Sequence, residues 1–316
     1  MSEHHDLKVF SATANPQLAQ AIVDWLKIPL GRLKITRFVD GEAYVKFEES
    51  VRGADAYVIQ PTCPPVDQNL MELLICLDAL HRASAWRVTA VIPYYGYARQ
   101  EKKDAPREAI TAKLVADLIT AAGAQRVMCM DLHADAIQGF FNVPVDHLTA
   151  LKLLAKYFLQ KQMEDIVVVS PDEGRVKKAR KVASDLNAPL AVGYKHHPLH
   201  QATEVTHLAG DVRGKTPVII EDMISSGGSM MEAVDMLLEH GCKPEIHIAC
   251  THGIFAGRAV ERLTSRPEIA EIITTDTIPL PPEKRHPKIR TLSVATLFGE
   301  AIYRANNDLS ITSLFD

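Results

Sequence analysis

The chain has 316 residues, enough for two domains that each bury a substantial core, and its formal net charge of −4 comes with 23% charged residues spread along its length. That balance leaves no basic tract for nucleic acid and no acidic tail, so a small-molecule partner is favoured. No apolar run reaches the roughly 18–20 residues needed to span a bilayer, the N-terminal MSEHHDLK is polar, and Cys63, Cys76, Cys129, Cys242 and Cys250 form no C-x-x-C pair, so no membrane partner, no disulfides and a cytoplasmic setting are expected.

In chain order, FVDGEAYVKF (38–47) places Asp40 and Glu42 on either side of Gly41, and Asp-Gly between β-prone residues predicts a hairpin tip. DAYVIQP (55–61), RVTAVIPYYG (87–96) and RVMCMDLHA (126–134) are β-branched apolar runs that end in polar residues. Between them, LMELLICLDALHRA (70–83) and ITAKLVADLITAAGA (110–124) space apolar residues three and four apart, as amphipathic helices do. NVPVDHL (142–148) is the expected join between two domains, 1–148 and 149–316. The pattern then begins again with DIVVVSPDEG (165–174), RVKKARKVASDL (175–186), TPVIIEDMISSGG (216–228), SMMEAVDMLLEHGC (229–242), EIHIACTHG (245–253) and EIITTDTIPL (271–280). Strands alternating with helices predict an α/β fold built on mainly parallel sheets flanked by helices, one in each domain. The C-terminal NDLSITSLFD (307–316) is expected to pack back on the first half.

In open α/β sheets, ligands bind beyond the carboxyl ends of the strands, so the polar residues that end the apolar runs carry the chemistry. Glu221 and Asp222 stand before Ser225, Ser226, Gly227, Gly228 and Ser229, which lead into a helix. Amides at a helix start, glycines that allow close approach and serine hydroxyls suit a phosphate, while carboxylates accept hydrogen bonds from sugar hydroxyls. Neither G-x-x-x-x-G-K-[ST] nor G-x-G-x-x-G is present, so a monophosphate on a pentose fits better than a triphosphate loop or a dinucleotide. A Ser/Gly turn with two solvated acids is the alternative. His133 in MDLHA and Asp172 in SPDEG suit a magnesium ion that also leans on substrate phosphates; the alternative for an isolated DLH is a helix cap or a satisfied core histidine. In PYYGYARQ, Arg99 offers a fork for phosphate and Tyr94, Tyr95 and Tyr97 are candidates to stack on a base; a solvated basic turn is the alternative. YKHHPLHQATEVTH (194–207) gathers histidines at a spacing that matches no closed zinc site, and reads instead as a mobile functional loop, with Lys195 at its start to close on a phosphate, or as a disordered one.

Together, VDGEAYV, PYYGYARQEKK, MDLHADAIQGFFNVPVDHL, VVVSPDEG, GDVRGK, IIEDMISSGGS, CTHGIF and TTDTIPL resemble the ribose-phosphate diphosphokinase (phosphoribosyl pyrophosphate synthetase) family over most of the chain. The resemblance implies two phosphoribosyltransferase-like domains, the first of them degenerate. It implies an enzyme that transfers the β,γ-diphosphate of ATP to ribose 5-phosphate, giving phosphoribosyl pyrophosphate and AMP. By motif, Glu221 and Asp222 hold the ribose hydroxyls, Ser225 to Ser229 the phosphate, His133 and Asp172 the Mg2+, and Phe38, Asp40, Glu42, Arg99 and Gln100 the ATP. Lys195 matches a catalytic loop lysine, and His197 stands where a second arginine is usual. A homo-hexamer in which the hairpin reaches a neighbouring subunit's ATP is implied, as is a phosphate or ADP effector near Ser50 and Arg52. A catalytically weak regulatory paralogue in a hexamer and a phosphoribosyltransferase that consumes phosphoribosyl pyrophosphate are the competing readings.

Overall fold

The computed structural model describes residues 5–196 and 205–314. The elements run β1 (Leu7–Ser11), α1 (Pro16–Leu26), β2 (Leu33–Arg37), β3 (Ala43–Phe47), β4 (Asp55–Ile59), α2 (Val66–Arg82), β5 (Arg87–Ile92), α3 (Thr111–Ala121), β6 (Arg126–Met130) and β7 (Val145–Leu148). They continue with α4 (Leu151–Lys161), β8 (Ile166–Ser170), α5 (Val176–Asp185), β9 (Leu190–His196), β10 (Val205–Ala209), β11 (Thr216–Ile224), α6 (Gly228–Glu239), β12 (Ile246–Gly253), α7 (Ala259–Thr264), β13 (Ile269–Thr275), β14 (Ile289–Leu292) and α8 (Ala295–Asn306). None of the described helices is long and apolar enough to cross a membrane, and all five cysteines are free and buried.

Two compact units result: Met1–Thr149 with Thr277–Pro279 and Ser293–Asp316, and Ala150–Asp276 with Leu280–Leu292. The first holds a fully parallel sheet in the order β1-β4-β5-β6-β7, with β2 and β3 as a separate antiparallel hairpin. The second holds a sheet ordered β10-β9-β8-β11-β12-β13-β14, parallel except for the β9–β10 pair. Parallel sheets are covered on both faces, which is why their strands read as near-continuous apolar runs. Alternation then divides each strand: Val167, Val169, Ile219, Ile248 and Ile272 enter one core with α6 and α7, while Val168, Val218, Ile220, Ala249 and Ile273 enter another with α4 and α5.

The first division between the units falls after Thr149, one residue from the expected boundary. NVPVDHL, just before it, is structured: Val145–Leu148 forms β7, the edge strand beside β6. Three half-buried residues and one buried leucine after a proline carry too little apolar signal to read as a strand, yet pairing to β6 satisfies their backbone. The segment 149–316 is not one compact body, because residues 293–316 belong to the first unit. There α8 packs on α1 so closely that a Cβ at Gly299 would lie 2.6 Å from the Trp25 ring, and Asn306 donates to buried Asp55 at 3.0 Å.

At the amino ends of β12 and β13 in the second unit, Glu271 accepts from His247 Nδ1 (2.8 Å), Tyr157 Oη (2.8 Å) and Lys161. Burial works against its charge, but those donors outweigh it and hold the carboxyl down at about 2, against an ordinary 4.5. A depressed acid contributes stability above its unfolded pKa and loses it as pH falls through the folded one. Thermal melts of wild type and Glu271→Gln should therefore differ most above pH 5 and converge between pH 4.5 and about 2. A constant gap across that window would show that the ion pair is not the source.

Candidate active site

In the second sheet the chain leaves β8 toward β9 on one side and β11 toward β12 on the other, so β8 and β11 flank the point where strand order reverses. Crevices at such points, beyond the carboxyl ends, are where α/β sheets take ligands. Asp172 follows β8, while Glu221, Asp222 and the Ser/Gly turn close β11. The acid pair is buried, at 8% and 2% exposure, and not solvated as the alternative reading required. One guanidinium bridges the two: Arg175 Nε lies 2.7 Å from Glu221 Oε1 and 3.0 Å from Asp222 Oδ1. Burial, with Asp222 alongside, pushes the Glu221 carboxyl well above the usual range, and Arg175 only partly counters this. Burial also opposes the charge on Arg175, but Asp222, Glu221 and then Asp172 more than offset it and raise its pKa. Asp172 Oδ1 is buried without a hydrogen-bond partner, which suits a hard cation. Among the described residues no group of three or more His, Cys, Asp or Glu could hold a metal by itself.

The turn after β11 is anchored from outside. Ile254 and Phe255 amides donate to Ile224 O (both 3.0 Å), Ala256 N to Ser225 O (2.9 Å) and the Arg262 guanidinium to Ser226 O (3.1 Å). These bonds hold the carbonyls, while helix geometry leaves the first-turn amides of α6 without intrahelical partners. Gly227 is the N-cap of α6, with φ +77, a conformation that favours glycine, and a Cβ there would sit 3.2 Å from Leu263 Cγ, which would have to give by a few tenths of an ångström. Ser226 and Ser229 are exposed, and Ser225 and Gly228 half-buried. Lys195 lies in β9 opposite Thr206 of β10, but its side chain, like the whole of His197 and His200, lies outside the described residues.

In the first unit, Arg99 and Gln100 follow β5 and His133 follows β6, the adjacent strand, at the same end of the sheet. The PYYGY turn docks on Thr62, whose Oγ1 accepts from Gly96 N at 2.6 Å, and a Cβ at Gly96 would lie 2.5 Å from Thr62 O. Tyr94 and Tyr95 are buried at 6% and 2% exposure, with Tyr95 Oη donating to Ala112 O at 2.9 Å. They are core residues and not a platform for a base, because the glycine turn folds them inward and leaves Arg99 and Gln100 exposed. The DLH turn is fixed by β7 and the residue after it: Leu132 N donates to His147 Nε2 (2.8 Å) and Thr149 Oγ1 to Asp131 Oδ1 (2.8 Å).

Phe38, Asp40 and Glu42 are exposed at the β2–β3 tip, closed by Phe38 N to Glu42 O and Gly41 N to Phe38 O (both 2.9 Å). Arg37, at the base, reaches Gly41 O at 3.3 Å and pairs with buried Glu72 of α2, which also accepts from Thr13. Sequence reasoning missed this brace, and it missed Arg175, which entered only as the first residue of the segment RVKKARKVASDL. Its position three residues beyond Asp172, in the loop after β8, was the available signal.

Residues 7–123 match a model for the N-terminal domain of ribose phosphate pyrophosphokinase, and residues 171–316 a phosphoribosyl synthetase-associated domain. The chain is 52% identical to a ribose-phosphate pyrophosphokinase of Caldanaerobacter subterraneus subsp. tengcongensis, over 98% of both proteins. It is 47% identical to that of Bacillus subtilis, over 98% of this chain and 97% of the relative. The crystal structure of phosphoribosylpyrophosphate synthetase from Mycobacterium smegmatis superposes with a TM-score of 0.90 at 43% identity, covering 96% of this chain and 99% of that one. With matches of this extent over both halves, the chain belongs to the ribose-phosphate pyrophosphokinase family.

Proposed function

We propose that the crevice beyond β8 and β11 binds ribose 5-phosphate, with Glu221 and Asp222 accepting from the ring hydroxyls and Ser225, Ser226, Gly227, Gly228 and Ser229 enclosing the phosphate. The observation that carries this reading is the buried acid pair directly before an anchored, glycine-capped helix start. The enzyme is a ribose-phosphate diphosphokinase. The ribose 1-oxygen bonds to the β-phosphorus of ATP, the bond from that phosphorus to the α,β-bridging oxygen breaks, and AMP leaves; the hydroxyl proton passes to solvent. Such chemistry asks the protein for alignment and charge compensation more than for covalent participation.

Phe38, Asp40, Glu42, Arg99 and Gln100 are assigned to ATP, Arg99 as a phosphate fork and Phe38 as an exposed aromatic able to stack on the base. The hairpin serves a neighbouring subunit within a homo-hexamer; its exposed Phe38, Val39 and Tyr44 support that use. Lys195 and His197 are assigned to the transferred diphosphate. Asp172 and His133 are each assigned to Mg2+, which would also draw on phosphate oxygens and would neutralise charge on the leaving AMP. The unpartnered Asp172 oxygen supports its share of that role. Exposed Ser50 and Arg52 are the proposed contacts for a phosphate or ADP effector, and buried free thiols support a reducing, cytoplasmic setting.

AMP release from ATP, followed with and without ribose 5-phosphate at several magnesium and inorganic phosphate concentrations, tests this reading. AMP should form only when the sugar phosphate is present. Binding of the sugar phosphate with no AMP under any condition would favour a regulatory subunit instead.

A further inference from the structure

Leu33 and Ile35 of β2 and Val45 and Phe47 of β3 pack on the core of the first unit, and strand alternation puts Arg37 on the same face as Leu33 and Ile35. The apolar footing stops there. An open cleft of about 430 Å3, lined by Ile35 and Arg37 on one side and by Gln68 and Glu72 of α2 on the other, keeps packing from continuing to the hairpin tip. Arg37 bridges it with two different nitrogens: Nη2 meets Glu72 Oε1, and Nη1 donates to Gly41 O at 3.3 Å. The anchor is itself fixed. Glu72 is 2% exposed and also accepts from Thr13 and, at 3.3 Å, from buried Gln60, residues that follow β1 and β4.

We propose that Arg37 is a positioning residue for ATP: through Glu72 and Gly41 O it holds the tip, and with it Phe38, Asp40 and Glu42, in the arrangement that receives the nucleotide. The inference rests on the assignment of those three residues to ATP. The tip is joined to the main sheet by no strand pairing, since β2 and β3 pair only with each other among the described strands. Its orientation is therefore set by the apolar face below and the guanidinium above. Arginine suits the task because its planar fork offers both bonds from one rigid group and stays charged, and a buried carboxylate gives a cation little reason to leave. Without the brace the tip would sample other arrangements, and the apparent affinity for ATP would fall by the fraction of time spent in the competent one. Ribose 5-phosphate, held in the second unit, would not sense that loss.

The test is the split between the two substrates. KM for ATP, KM for ribose 5-phosphate and kcat would be measured for full-length wild type, Arg37→Met, Arg37→Lys and Phe38→Ala. Arg37→Met keeps an apolar stem and loses both bonds, so KM for ATP should rise about tenfold or more, the scale of one lost hydrogen bond to a charged group. KM for ribose 5-phosphate should stay within about twofold, and kcat at saturating ATP within about threefold, because excess nucleotide selects the competent tip. Arg37→Lys keeps a cation for Glu72 but not the fork, and should raise KM for ATP by about threefold. If Arg37→Met does not fold, the lysine variant decides by the same split. An arginine that merely holds the fold would lower the active fraction, cutting kcat with both KM values unchanged. That pattern, equal rises in both KM values, or unchanged kinetics overturns the inference. Phe38→Ala tells the two failures apart: a raised KM for ATP there leaves the hairpin assignment standing whatever Arg37 does, whereas an unchanged one removes the assignment and the inference together.

Discussion

Asp222→Asn is expected to raise the KM for ribose 5-phosphate by about tenfold to a hundredfold, with the KM for ATP little changed. Asp222 is 2% exposed, so no water is at hand to replace a lost acceptor. The substitution puts a donor amide where an anionic oxygen stood, so a sugar hydroxyl would meet a donor and forfeit a charge-assisted bond. Stability should move the other way. Asp222 raises the pKa of its neighbour, and an acid whose folded pKa is raised contributes stability below its unfolded pKa and loses it as pH rises through the folded value. Near neutral pH the pair therefore burdens the fold, and Asp222→Asn should melt at the same temperature as wild type or higher. Higher KM with unchanged or higher Tm is the pattern of a site kept for function at the expense of stability. An unchanged KM for the sugar phosphate would remove Asp222 from the site, and a lower Tm would refute the electrostatic account.

Arg87→Met is expected to produce the largest stability loss, about 3–5 kcal/mol, because it leaves Asp55 buried and charged without its cation. Asp55 is 0% exposed; it receives Arg87 Nε at 2.8 Å, Tyr57 Oη at 2.9 Å and Asn306 Nδ2 at 3.0 Å. Arg87 also donates to Ala305 O at 2.9 Å, so the pair fastens the end of α8 to β4 and β5 in the first unit. At about 2–4 °C per kcal/mol for a protein of this size, a melting transition lower by roughly 10 °C should appear by calorimetry. The double variant Asp55→Leu/Arg87→Met provides the control. Replacing both charges by apolar groups of similar volume removes the unpaired carboxylate, so the double variant should be more stable than Arg87→Met alone. If the single variant is the more stable, an isolated buried charge is not what the arginine prevents.

Local and long-range features of the protein differ in legibility. The α/β alternation, the fate of each apolar run and the turn at residues 225–229 followed from local chemistry. Apolar runs such as DAYVI become fully buried strands, and Ser/Gly turns before amphipathic segments become helix starts. The brace from Glu72 through Arg37 to Gly41, by contrast, joins residues 35 and 4 positions apart, and no local pattern announces it. Tyr94 and Tyr95 show the opposite error, where a motif suggested a surface role that the packing denies.

By itself, the amino-acid sequence determined the fold class, the strand ends at which to look, and the identities of the acid pair and of the Ser/Gly turn proposed for the phosphate. Periodicity, turn chemistry and side-chain type are properties of neighbouring residues, and they survive without any knowledge of how distant segments meet. Only the tertiary structure decided that β8 and β11 flank the reversal of strand order, that NVPVDHL supplies an edge strand, that α8 returns to the first unit, and that Arg175 is the cation answering Glu221 and Asp222. Each of these is a pairing across long stretches of chain, selected by the burial of shared surface and the mutual neutralisation of charge, and neither quantity exists until the chain has folded.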